Sequence, residues 1–256
     1  MRSSSTCARC DRERYARDVI TPALRDAIEQ LYRVFARYPR PRAVEGCPCC
    51  VTDADRARLH RAPLRDLRAE DLSRYAFKAL STWGDARDFR HFLPRILEIV
   101  CDAHDDLRVD DQIVLGKLRH ADWTCWPRDE QDAITRWLDA WWLDVLTGDR
   151  DTAWRGATVL SSILATGHPL APLLATFDVE LAQSATARAA LLTVVEDLAH
   201  QPTLDPWTSN ATSDAITRWL ASRAPTIERA IDEAYESDRD FHRYNRDAFL
   251  LRAQTL

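Results

Sequence analysis

From Pro22 to Ala234 the apolar side chains return at steps of three and four, and no segment alternates with period two between turn residues. That pattern leaves amphipathic helices as the only regular element with support. Glycine is scarce and alanine plentiful, which suits helices throughout. The fold class read from this is all-α, a multi-helix array of about ten helices with short connections. Residues 1–15 read as a polar N-terminal extension. Residues 16–256 read as a single helical domain with possible sub-lobes 16–126 and 127–256.

The first helix is expected over 16–38, with Leu24, Ile28, Leu31, Phe35 and Tyr38 as its inner seam. Pro22 near its start costs little, and Pro39 and Pro41 stop it. Thr52 or Asp53 begins a short second helix. Leu72, Ala76, Leu80 and Trp83 then share one helical face, which Gly84 ends and Asp85 follows as the cap of the next helix. That helix buries Phe89, Phe92, Leu93, Ile96, Leu97 and Val100 around an internal Pro94, where a kink is expected.

After Pro127 a strong amphipathic helix carries Ile134, Trp137, Leu138, Trp141, Val145 and Leu146 inward. Asp151 opens a helix that packs Trp154 and Leu160. The helices through Leu173 and Leu191 are the most apolar and are placed at the core. Ser213 and Pro225 begin two more, and Phe241–Leu250 forms a last one. The heptapeptide DAITRWL stands at both Asp132–Leu138 and Asp214–Leu220. Two copies are compatible with α-solenoid, HEAT-like stacking, and equally with two amphipathic helices made from the same good formers.

On the helix after Asp85, a polar stripe runs through Asp88, Arg90, His91, Arg95 and Glu98. As a site it offers His91 as base or ligand, two arginines for an anion and two carboxylates as orienters. As a plain helix face it is a set of charge pairs worth about 0.2–0.5 kcal/mol each, the commoner outcome.

The net charge is −5, and Lys78 and Lys117 are the only lysines. No basic block is present to cover a phosphate backbone, which argues against nucleic acid as a partner. No apolar run spans a bilayer and the N-terminus lacks the apolar core of a secretory signal, so the expected location is cytoplasmic.

Cysteines are the best chemical signal. Cys7-x-x-Cys10 and Cys47-x-Cys49-Cys50 together offer enough thiolates for a tetrahedral zinc site, with Pro48 stiffening the turn and Gly46 permitting its bend. His60 is a substitute fourth ligand. The same loop reads alternatively as a thiol redox element, or as small buried apolar residues. Cys101 and His104 share a chelating spacing that chance supplies as readily. Cys125, between Trp123 and Trp126, reads as part of a packed corner, and His120, His168 and His242 as loop or terminus residues.

The segments LYRVFARYPRP, GCPCC and YAFKALSTWGDARDFRHFLPRILE together resemble a bacterial family of small, uncharacterised helical proteins. The resemblance covers Leu31 to Val100. It implies a helical fold and brings no activity with it. The functional expectation is a non-enzymatic, adaptor- or immunity-like protein that binds another protein and carries a zinc-stabilised loop. An enzyme, or a subunit of one, using the 85–98 face is the competing expectation.

Overall fold

The computed structural model describes residues 20–102, 107–148, 150–200 and 209–237. These form helices α1 Pro22–Phe35, α2 Asp53–Leu59, α3 Ala69–Lys78, α4 Ala86–Cys101, α5 Asp111–His120, α6 Arg128–Thr147, α7 Gly156–Ala165, α8 Leu170–Gln183, α9 Ala185–His200, α10 Asn210–Ala221 and α11 Ala224–Ser237. Short 3₁₀ turns lie at Leu64–Asp66, Trp123–Cys125 and Arg150–Arg155. Among the described residues there is no strand, only isolated bridges from Trp83 to Gly46 and to Ala79. The all-α expectation therefore holds. No described helix is long and apolar enough to cross a membrane.

Two compact units share the chain, and neither is continuous in sequence. One takes the chain up to Val109 together with Trp126–Asp144, the other Asp110–Cys125 together with the chain from Val145. The chain thus passes between them after Val109, after Cys125 and after Asp144.

In the first unit, α1 starts at Pro22, whose missing N–H is one the first turn would leave unpaired anyway. The Thr21 hydroxyl accepts the Leu24 N–H, and the Asp144 carboxylate accepts the Thr21 N–H at 2.6 Å. Residues 16–19 of the expected first helix lie outside the described residues. Leu24, Ala27, Ile28, Leu31 and Phe35 are buried, each large one worth roughly 1.5–3 kcal/mol. Tyr38 falls beyond the helix end and is half-buried, its hydroxyl donating to Glu130 at 2.6 Å. Thr21–Asp144 at one end and Tyr38–Glu130 at the other make α1 and α6 antiparallel neighbours.

The expected helix through Leu80 and Trp83 stops earlier. α3 ends at Lys78, Ala79 turns extended, and Leu80 takes a left-handed φ of 65°. The Lys78 carbonyl then accepts N–H groups from Ser81, Thr82 and Trp83 at 3.1–3.2 Å. This tight turn swings Trp83 into the core, edge-on to Tyr75 at 5.3 Å, while Leu80 stays half-exposed. Gly84, at φ 75°, passes the chain to Asp85. Asp85 accepts from the Arg87 and Asp88 amides at 2.8 and 2.9 Å, and Asp88 accepts in return from the Asp85 amide. α4 continues through Pro94, which is buried, to Cys101.

In the second unit α9 is the hub, packing against α7, α8, α10, α11 and the Arg150–Arg155 turn. The expected core position of α9 holds. α8 is more peripheral, burying Leu173, Phe177, Glu180 and Leu181 while Val179 is exposed. Three further expectations need correction. Arg150–Arg155 is a 3₁₀ turn, α7 begins only at Gly156, and Trp154 stands 69% exposed instead of packing. α10 is capped by Ser209, with Ser213 buried inside it. Cys125 is exposed, although Trp123 and Trp126 beside it are buried. His168 lies in a loop, as expected, and is buried there. The expected helix over 241–250, like His104 and His242, lies outside the described residues.

The two DAITRWL copies bury the same three positions, Ile134, Trp137 and Leu138 in α6 and Ile216, Trp219 and Leu220 in α10. Trp137 stacks on Trp141 and Trp219 on Phe177. Equal burial is what one amphipathic sequence requires in any helix, so it does not by itself make the two a structural repeat.

Candidate functional site

The GCPCC loop and the TWG turn, far apart in sequence, are one local structure. The Cys47 N–H donates to the Thr82 carbonyl at 2.9 Å, and the Gly84 N–H to the Glu45 carbonyl at 2.7 Å. Gly46 and Trp83 thereby face each other as an antiparallel bridge. Gly46 does not need a positive φ. A Cβ there would sit 2.8 Å from Val51 Cγ2 and 3.0 Å from Trp83 Cδ1. Crowding by the Val51 and Trp83 side chains, and not the bend expected from the sequence, is what favours glycine at this position.

Beyond Gly46 the chain turns back on itself, with the Cys47 carbonyl accepting both the Cys50 and the Val51 N–H at 2.9 Å. Arg74 on α3 donates to the Cys50 carbonyl at 3.0 Å while pairing with Asp55. Thr52 and Asp55 then cap α2 reciprocally. The loop is thus held by α3, by the turn after α3 and by its own helix start.

This scaffold brings three sulfurs together. Cys47 Sγ lies 2.9 Å from Cys49 Sγ, Cys49 Sγ 3.6 Å from Cys50 Sγ, and all three sulfurs fall within 4.8 Å of one another. A tetrahedral zinc with bonds of about 2.3 Å spaces its sulfurs roughly 3.8 Å apart, so sub-ångström adjustments bring the set into register. Cys49 is exposed and the other two are half-buried, so an ion can reach them. Hydrogen bonding with Cys49 pulls the Cys47 thiol below its ordinary value, and the same contact pushes Cys49 up to about 11. A bound cation would have to draw these protons off, so metal affinity at the loop should rise with pH.

Of the other proposed ligands, Cys7 and Cys10 lie outside the described residues. His60 caps the end of α2 and is not among the ligand atoms that converge. Its electrostatic neighbours are Arg40 and His91.

The polar face of α4 is spent on structure. Asp88 serves the helix cap, and burial pushes its carboxyl above the ordinary value. Arg90 lies over the Trp126 ring at 4.2 Å, donates to the Tyr38 hydroxyl at 3.2 Å and faces Glu130. Arg95 donates to the Leu67 carbonyl and to Glu98, both at 2.7 Å. Glu98 also accepts the Tyr32 hydroxyl. His91 Nδ1 sits 2.9 Å from the Tyr38 carbonyl, which can only accept, so Nδ1 carries the proton of the neutral ring. The five residues do not converge on one cavity.

A pH dependence follows. Burial holds the His91 imidazole below its ordinary value of 6.5; the Arg40 and His60 charges push the same way, and the Tyr38 carbonyl and Asp88 oppose them. The unfolded chain therefore takes up this proton at a higher pH than the folded one. Stability is full above about 6.5 and declines as pH falls through the window below it, down to the folded-state value. The urea midpoint is expected to drop between about pH 7 and about pH 5, with a shallower drop in His91→Gln. Equal slopes in the two proteins would refute the assignment.

Sequence reasoning missed Arg74, the Thr82 carbonyl and Glu130. Nothing in helical periodicity marks them, since each acts across elements. No family model matches the chain, and neither does any curated protein or solved structure.

Proposed function

We propose that the chain holds one zinc ion on Cys47, Cys49 and Cys50, and that this ion clasps a loop of a helical protein that works by contacting another protein. The observation that carries the reading is the convergence of three thiols on a loop pinned from Thr82 and Arg74. Zinc accepts such a set because it imposes no electronic geometry and favours thiolate. The fourth ligand comes from Cys7 or Cys10, or from His60 after a local shift.

A structural role is supported by the pairing-off of Asp88, Arg90, His91, Arg95 and Glu98, which leaves the competing catalytic face without a converging set. An interaction role, adaptor- or immunity-like, is supported by Trp154, since exposed tryptophans are disproportionately interface anchors. The described cysteines are all free thiols, which suits the reducing interior of a cell.

Protein purified under reducing conditions without chelator is expected to carry about one zinc per chain by elemental analysis. Cys49→Ser should lose it and Cys125→Ser should keep it. Chelation should release the Cys50 and Val51 amides to hydrogen exchange. Sub-stoichiometric metal, or metal retained in Cys49→Ser, would remove the reading.

The 2.9 Å approach of Cys47 and Cys49 favours one alternative, a thiol redox element. Peptide mapping after mild oxidation by a disulfide reagent distinguishes the two. Metal-free protein that forms a Cys47–Cys49 disulfide and regains free thiols on reduction would support the redox role in place of zinc.

A further inference from the structure

A groove of about 470 Å³ opens beside the end of α1, where Tyr38, Arg40, Arg65 and His91 meet Leu64 and Pro94. It lies apart from the cysteine loop, and its size suits a small molecule.

The polar groups of this groove divide sharply. Arg65 is engaged by both Glu29 oxygens at 2.7 and 2.8 Å and lies 3.7 Å over the Tyr32 ring. Arg33 donates to Gln30 and to the Glu29 carbonyl. The Tyr38 hydroxyl is used by Glu130 and Arg90, and the Tyr32 hydroxyl by Glu98. Two groups remain. Arg40 has no hydrogen-bond partner among the described residues. His91, which lines the groove, is nine-tenths buried, its Nδ1 is turned to the Tyr38 carbonyl, and its Nε2 has no hydrogen-bond partner among the described residues.

No carboxylate lines the groove, so the guanidinium of Arg40 and the imidazole of His91 stand together without a counter-charge inside it. An unpaired guanidinium beside an unengaged imidazole nitrogen and an apolar wall is a good arrangement for an anion with an apolar body.

We propose that the groove binds a small organic carboxylate, with its head between Arg40 and His91 Nε2 and its apolar body against Leu64 and Pro94. The Arg40 guanidinium offers its N–H groups to a carboxylate, and Nε2 of His91 joins them once it is protonated. Inorganic phosphate has no apolar body to lay against Leu64 and Pro94, so it gains nothing from that wall and should bind more weakly. Binding draws one proton from solvent onto Nε2, which then donates to the ligand.

The test uses the full chain labelled with ¹⁵N, with benzoate, acetate and inorganic phosphate as probes. The imidazole resonance of His91 is identified by its absence in His91→Gln. Benzoate should shift that resonance saturably and bind about tenfold or more tightly than acetate, because burying the ring removes apolar area from water. Arg40→Gln, a surface change, should weaken benzoate about three- to tenfold. Equilibrium dialysis of labelled benzoate against wild type and Arg40→Gln reads the same affinities without His91→Gln. An unsaturable shift, equal binding of acetate and benzoate, tighter binding of phosphate, or indifference to Arg40→Gln would each overturn the proposal. None of these outcomes depends on whether the cysteine loop holds zinc.

Discussion

Glu130→Ala is expected to destabilise the chain by about 3–5 kcal/mol, the cost of breaking a buried ionic set by removing one member. Glu130 is 0% exposed. Its carboxylate accepts the Tyr38 hydroxyl at 2.6 Å and lies 3.6 Å from Arg90 Nε and 3.7 Å from Arg37 Nη1. Arg90 is itself mostly buried, with its guanidinium over the Trp126 ring, so taking the carboxylate away leaves a guanidinium and a phenol facing a void. Tyr38 also presents its carbonyl to His91, so the end of α1 loses the contact that positions it. Glu130→Gln retains an oxygen for Tyr38 and loses only the charge, so it should fall between wild type and Glu130→Ala. Urea unfolding reads the effect as a lower midpoint at constant slope. A loss below about 1 kcal/mol would mean that water replaces the carboxylate freely and that the site is not dry.

Much of the helical frame could be read from local spacing, because a helix repeats its environment every three or four residues. The inward face of α6, from Ile134 to Leu146, is buried as its spacing implies. Pro22 and the Asp85 cap also lie where their chemistry puts them, since capping involves only the next few amides. Spacing failed where a distant contact outweighed it. Leu80 and Trp83 continue the periodic face of α3, yet the turn at Ala79–Trp83 breaks that helix. Breaking it buries Trp83 against Tyr75 and hydrogen-bonds the turn to the cysteine loop. Trp154 has the apolar character of a core residue and stands exposed on a 3₁₀ turn. Neither outcome is encoded in the immediate neighbours.

The site divides in the same way. Three cysteines within four positions cannot lie far apart, so their convergence was legible. Their supports were not, because Arg74 and Thr82 come from another helix and its terminal turn. The polar stripe on α4 was legible as a stripe, but its use depended on partners from Tyr32 to Glu130 that no helical spacing reveals. The same partners leave His91 Nε2 and Arg40 as the uncommitted pair of the groove.

Two glycine-to-alanine changes in helices are expected to move stability in opposite directions. Gly116 lies inside α5, and a Cβ built there meets no heavy atom within 4 Å. Gly116→Ala removes backbone freedom from the unfolded chain without a steric penalty and should stabilise by about 0.8–1 kcal/mol. Gly156 opens α7 where it crosses α9 at closest approach. A Cβ there would lie 2.8 Å from Ala190 Cβ, from the Ala190 carbonyl oxygen and from Thr193 Oγ1. Two of those atoms belong to Ala190, one of them backbone, and neither can swing aside. The third, Thr193 Oγ1, accepts the Ala157 N–H at 2.9 Å and donates to the Ala190 carbonyl, so moving it breaks the link between the two helices. Overpacking of this kind costs about 1–3 kcal/mol, more than the helix-forming gain of alanine at a first-turn position. Gly156→Ala should therefore lower the urea midpoint and Gly156→Val should lower it further, while Gly116→Ala raises it. If both alanine variants stabilise, α7 and α9 do not meet as closely as described, and propensity alone governs the two sites.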